Sequence, residues 1–210
     1  MKRKYFLSSI IPLAATLGAV AKGKTTIDPD KPVIIPPYLK QGDIIGICCP
    51  AGFITAEDIQ PALQKLAEWG FNAKIGNTIG KKDFTYGGTD EERLNDLQQM
   101  LDDKTISAIL FARGGYGGVR IIDKLDFKKY KRTPKWIIGF SDATIFHSHI
   151  NQNYRIASIH SKMCNSFPND WSKAEPLQKE TIESINQCLK GEKMKYFFPP
   201  NEKNKTGLAT

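Results

Sequence analysis

The sequence predicts an α/β protein built on an open, doubly wound, mostly parallel sheet. Three observations carry this expectation. Short β-branched runs alternate four or five times with amphipathic segments of helical length. The runs are apolar at nearly every position, as strands covered by helices on both faces must be. The first, third and fourth runs close on short turns that carry glycine, proline or both.

Taken in order, 44–49 is the first strand, ended by Pro50 and Gly52. Thr55 can cap a helix over 56–69, with Asp58 in its first turn and Gly70 as its stop. A second strand covers 71–75, and a glycine-containing loop runs to Gly88. Thr89 and Glu92 have the spacing of a capping box, and Leu94, Leu97 and Leu101 share one face of the helix behind it. A third strand over 106–112 runs into a tight glycine turn at 113–118. A helix over 118–124, a short turn over 127–131, a fourth strand over 136–140 and a helix over 142–151 come next. A fifth strand over 156–159, a helix over 176–190 and a short strand over 196–198 complete the pattern.

The ends read differently from the middle. Lys2, Arg3 and Lys4 precede an apolar run from Tyr5 to Val20, and Ala19-Val20-Ala21 offers a small-x-small cleavage pattern. Residues 1–21 are therefore expected to be a cleaved export signal, which places the protein in the periplasm; the alternatives are a retained amino-terminal anchor or, if the segment is not a signal, a cytoplasmic protein. Pro12 and Gly18 break the run, so no stable membrane span is expected. Residues 22–36, with Pro29, Pro32 and Pro36, read as a linker, 37–190 as one α/β domain, and 191–210 as a polar linker.

Of 210 residues, 40% are hydrophobic and 25% charged, which excludes collagen, coiled coil and wholesale disorder. The formal net charge of +8 is spread thinly, with no basic stripe interleaved with aromatics, so no nucleic acid partner is expected. Cys48, Cys49, Cys164 and Cys188 lack metal-ligand spacing, and Cys48-Cys49 closes an apolar run as buried strand would. The three histidines form no paired motif either, so neither a metal nor a cofactor is expected.

Two turns carry chemistry. Gly139-Phe140-Ser141-Asp142-Ala143 joins a buried strand directly to a helix, with small residues two before and two after Ser141. That is the logic of a nucleophile elbow, in which the apex side chain is pushed into the open. The Asp142 amide would face a developing oxyanion at the helix start. The bland alternative is that Ser141 merely caps the helix. In Arg113-Gly114-Gly115-Tyr116-Gly117-Gly118 the glycines let backbone amides approach a ligand, and Arg113 could hold a carboxylate as a bidentate partner. The pattern lacks the Gly-Lys-Ser/Thr of a phosphate loop. His147 lies on the same helix as Ser141 but too far along it to reach the apex oxygen. His149 faces elsewhere, and His160 could approach the crevice.

Five stretches together resemble the LD-carboxypeptidases, a family that includes muramoyltetrapeptide carboxypeptidases and microcin-immunity peptidases. They are 37–47, 88–97, 112–118, 134–144, and His160 with Met163 behind it. The resemblance implies a flavodoxin-like or amidotransferase-like amino-terminal domain. It implies a serine peptidase in which Ser141 attacks the amide to the terminal D-alanine of a murein tetrapeptide. The amides of Gly114 and Asp142 would form the oxyanion hole, and Arg113, Gly115 and Tyr116 would contact substrate. It also implies a homodimer, with no interface legible in these residues. The family's general base is a histidine oriented by a glutamate in a carboxyl-terminal domain, and no histidine follows His160. The chain is accordingly expected to be a fragment that lacks this domain and to be inactive alone. A non-catalytic muropeptide-binding module or a degenerate remnant is the alternative.

Overall fold

The structure, a computed structural model, describes residues 32–195. The chain divides at Pro32/Val33, and the fold is that of the unit starting at Val33. Five parallel strands form one sheet: β1 (Ile44–Cys48), β2 (Asn72–Ile75), β3 (Ile106–Phe111), β4 (Trp136–Gly139) and β5 (Ile159–His160). Their spatial order is β2-β1-β3-β4-β5. The helices are α1 (Gln60–Glu68), α2 (Asp90–Asp102), α3 (Lys128–Arg132), α4 (Thr144–Tyr154) and α5 (Pro176–Lys190).

The two-residue period of a strand sorts its side chains into two cores. Ile45 and Ile47 of β1 and Ala108 and Leu110 of β3 pack with Leu66, Ile182 and Ile185 from α1 and α5. Ile109 and Phe111 of β3 point the other way, onto Leu97, Leu101, Phe146 and Ile150 from α2 and α4. The expected doubly wound sheet is thus a three-layer α/β/α fold. The chain leaves β1 toward β2, then crosses back to place β3 on the other side of β1. Ligand crevices in such sheets open beyond the carboxyl ends of the strands at that reversal.

Several elements differ from the sequence expectation, each for a local reason. β2 is exposed at all four positions, because it is an edge strand with polar Asn72 and Lys74. α1 begins at Gln60 instead of residue 56. Thr55 and Asp58 exchange reciprocal hydrogen bonds of 3.1 and 3.2 Å that close a separate turn, and Pro61 favours the first turn of α1 itself. The helix expected over 118–124 is two 3-10 turns, Gly118–Arg120 and Ile122–Lys124, while the turn expected over 127–131 is α3. Residue 156 pairs with Ile34, and β5 starts only at Ile159. The capping box at Thr89 is present, and α5 has the expected bounds.

All four cysteines are free thiols, three of them buried, Cys48 and Cys49 among these. Among the described residues no helix is long and apolar enough to cross a membrane. The segment expected to be a signal, most of the expected leading linker, the end of the expected trailing linker and the strand expected at 196–198 lie outside the described residues.

Candidate active site

The turns after β1, β3 and β4 meet at the carboxyl edge of the sheet. After Gly139 the chain bends through Phe140 into a 3-10 turn, Ser141–Ala143, which runs directly into α4. The bend holds Ser141 at φ +60°, a left-handed conformation that costs a residue with a Cβ about 1–2 kcal/mol. A Cβ at Gly139 would stand 2.8 Å from the Ala143 Cβ, which is why small residues flank the apex. Ser141 itself is exposed.

Ser141 is not a helix cap. Phe140 precedes the 3-10 turn and Ala143 precedes α4, and neither terminus is closed by a side-chain hydrogen bond. The hydroxyl instead faces the glycine turn. A Cβ at Gly114 would lie 3.4 Å from Ser141 Oγ and 3.1 Å from the Met163 methyl. The Gly114 amide nitrogen is only two covalent bonds from that point. A side chain there would crowd Ser141 and Met163, so glycine keeps the approach to the hydroxyl open. Among the described residues neither the Gly114 nor the Asp142 amide donates to another protein group.

The two turns are locked together. Gly118 N–H donates to Asp142 Oδ2 at 2.8 Å, and Gly52 N–H donates to the Gly114 carbonyl at 2.8 Å. Partial burial raises the Asp142 carboxyl above its ordinary pKa, against the opposing pull of the Gly118 amide. Behind the elbow, buried His147 donates from Nε2 to the Gly139 carbonyl at 2.9 Å. Its Nδ1 accepts from the Ser158 hydroxyl at 2.8 Å. Because a carbonyl can only accept, this pattern fixes the neutral tautomer, and burial holds the ring pKa below its usual value. His147 therefore supports the elbow from behind and does not face the Ser141 oxygen. The His149 ring packs tilted against Phe127 with centroids 5.0 Å apart, and exposed His160 lies 5.8 Å from the His147 ring.

Sequence reasoning missed Arg93. Its side chain is fully buried, yet it reaches three of the loops that shape the crevice. Nη1 donates to the Pro50 carbonyl at 2.6 Å and the Gly117 carbonyl at 3.0 Å, and Nε donates to the Gly88 carbonyl at 3.2 Å. Nη2 pairs with Asp90, which also holds Arg120, and the guanidinium lies over the Tyr86 ring. One signal was available: Arg93 sits four residues before Leu97, in phase with the buried stripe of α2.

Arg113 is exposed, and its Nη1 donates to the Phe53 carbonyl at 2.9 Å. With Gly115 and exposed Tyr116 it borders a hollow of about 300 Å³ closed by Phe53, Lys82 and Phe84. A somewhat larger hollow of about 350 Å³ lies at the opposite edge of the sheet, bordered by Tyr38, Lys104 and Arg132. There Lys135 caps α2 by donating to the Met100 and Asp103 carbonyls, a structural use of its ammonium. No cluster of metal-ligating side chains occurs among the described residues.

Residues 45–161 match the model of the LD-carboxypeptidase N-terminal domain. The chain belongs to the LD-carboxypeptidase family. It is 34% identical over 131 residues to the "Probable murein peptide carboxypeptidase" of Bacillus subtilis, covering 62% of this chain and 41% of that protein. It is 26% identical over 142 residues to the murein tetrapeptide carboxypeptidase of Pseudomonas aeruginosa, covering 67% of this chain and 46% of that one. The fold matches the MccF-like protein of Bacillus anthracis with a TM-score of 0.67 at 25% identity, over 74% of this chain and 47% of that one. The chain thus spans less than half the length of these LD-carboxypeptidase relatives.

Proposed function

We propose that this domain supplies the nucleophile of a serine-type LD-carboxypeptidase acting on murein peptides. One observation carries the reading. Ser141 is held in a strained left-handed conformation, makes no capping bond, and directs its hydroxyl toward Gly114. Strain of this kind persists where the surroundings impose it, and it gathers at catalytic positions. The names of the curated relatives supply the substrate class.

In this mechanism Ser141 Oγ attacks the carbonyl carbon of the amide to the terminal D-residue. The carbonyl oxygen becomes an oxyanion held by the Gly114 and Asp142 amides. The serine proton passes to a general base and then to the departing amine, and water hydrolyses the acyl-enzyme. His147 is engaged at both nitrogens and does not serve as that base. In this proposal the base comes from the carboxyl-terminal part that the resemblance assigns to the family's proteins.

The decisive measurement is amino acid release from a tetrapeptide ending in an L-centre followed by D-alanine. The longest chain the gene encodes should liberate D-alanine from it and leave the all-L isomer intact. Equal cleavage of both isomers, or of neither, would reject the reading. Export is part of the proposal and rests on residues 1–21. The protein recovered from cells should begin at Lys22, as amino-terminal sequencing would report; a chain still carrying residues 1–21 would reject cleavage after Ala21.

A further inference from the structure

The hollow beside the glycine turn has an unusual wall. Arg113 and Lys82 border it, and no acidic side chain does. Among the described residues neither cation forms an ion pair. Arg113 spends one nitrogen on the Phe53 carbonyl, which orients the guanidinium and leaves its remaining N–H groups uncommitted. Lys82 Nζ lies 5.4 Å from the centre of the Phe53 ring. Asp58 senses Arg113 only through space, its carboxylate being held down chiefly by Thr55. Unpaired cations beside aromatic rings suit a carboxylate, which is bound more strongly where water is thinned out.

Phe84 adds an independent clue. It is 81% exposed and adopts φ +55°. An exposed aromatic ring in a left-handed conformation gains nothing for the fold. It is nevertheless held there by a tight hairpin: Asp83 and Tyr86 exchange two backbone hydrogen bonds, of 3.1 and 2.9 Å, and Phe53 N–H donates to the Thr85 carbonyl at 3.0 Å. Such outliers point to use by a ligand. The hairpin brings Phe84 and Thr85 into the lining of the hollow together with Arg113 and Tyr116.

The placement relative to Ser141 completes the case. Gly114 abuts the Ser141 hydroxyl, and its chain neighbours Arg113 and Gly115 line the hollow. A peptide lying across Gly114 would therefore have its scissile carbonyl at Ser141 and its next residue at Arg113. We propose that this hollow seats the substrate's terminal α-carboxylate. Arg113 and Lys82 are its cationic partners, and Phe84 is the apolar lip that shields it from water. The proposal rests on the peptidase reading and explains why cleavage would be confined to the last residue: an internal amide brings no carboxylate to the hollow.

The test is binding, not turnover. The longest chain the gene encodes, carrying Ser141→Ala, is titrated calorimetrically with the tetrapeptide ending in D-alanine and with the same peptide ending in D-alaninamide. The acid should bind about 10–100-fold more tightly than the amide. Lys82→Met, which removes no hydrogen bond from the fold, and Arg113→Met should each cut that preference to a few-fold. Phe84→Gly should weaken binding of the acid while raising the melting temperature, since it relieves the positive φ. Equal affinities for acid and amide, no binding of either, or a preference that survives both cation substitutions would overturn the proposal. If the unsubstituted protein releases no D-alanine, the peptidase reading falls, while the acid-to-amide ratio still judges the hollow.

Discussion

Ser141→Ala should lower D-alanine release by at least about 10³-fold, because removing a serine nucleophile leaves only the catalysis that binding and the oxyanion hole supply. The substitution deletes one oxygen from an exposed apex that makes no capping bond, so the fold should keep its melting temperature within a few degrees. Ser141→Gly sharpens the test. Glycine adopts φ +60° without penalty, so relief of strain should stabilise the protein by about 1 kcal/mol, or about 2–4 °C, while turnover stays abolished. A mutation that stabilises and inactivates together is the mark of a residue held in place for chemistry. Retained turnover in either variant would remove Ser141 from the mechanism. Unchanged stability in Ser141→Gly would mean that the elbow stores no strain.

The elbow was legible in the sequence because its demands are local. A bend that leads from β4 into a helix within two residues needs Gly139 and Ala143 around its apex, and both stand within one short window. The capping box at Thr89 and the span of α5 were legible for the same reason. What escaped was set at a distance. Polar Asn72 and Lys74 are the one local hint of an edge strand, but the position itself is set by the strand order, so its exposure was missed. The true start of α1 depends on a contest between two local signals, the Thr55–Asp58 turn and Pro61, and the sequence does not rank them. The cation-lined hollow combines Lys82 and Phe84 with Arg113, which meet only because β1, β2 and β3 are neighbours.

The same distinction explains Arg93. Its carbonyl partners at Pro50 and Gly117 are 43 and 24 residues away, so no window of sequence contains the constellation. Its consequences should nevertheless be large. Arg93→Met keeps much of the side-chain length but deletes every donor. It leaves the Pro50, Gly88 and Gly117 carbonyls without their partner and takes from Asp90 one of its two arginines. Breaking one side of a buried charged network costs about 3–5 kcal/mol, a large share of the stability of a typical domain. Urea unfolding of Arg93→Met should show a loss of that size. Arg93→Lys restores a charge without the planar fork, so it can serve one or two carbonyls and not three, and should recover only part of the loss. Asp90→Asn offers an independent variant: it removes the anion but leaves all three carbonyl bonds, and should cost less than Arg93→Met. Because a Cβ at Gly117 would lie 2.7 Å from Arg93 Nη1, the guanidinium also sets the path of the glycine turn. Arg93→Lys should therefore lower kcat more than it raises KM, since a displaced turn weakens oxyanion binding in the transition state more than it weakens substrate binding in the ground state. A loss below about 1 kcal/mol in Arg93→Met would show that the loops hold their positions without the guanidinium, and that its bonds follow the fold instead of fixing it.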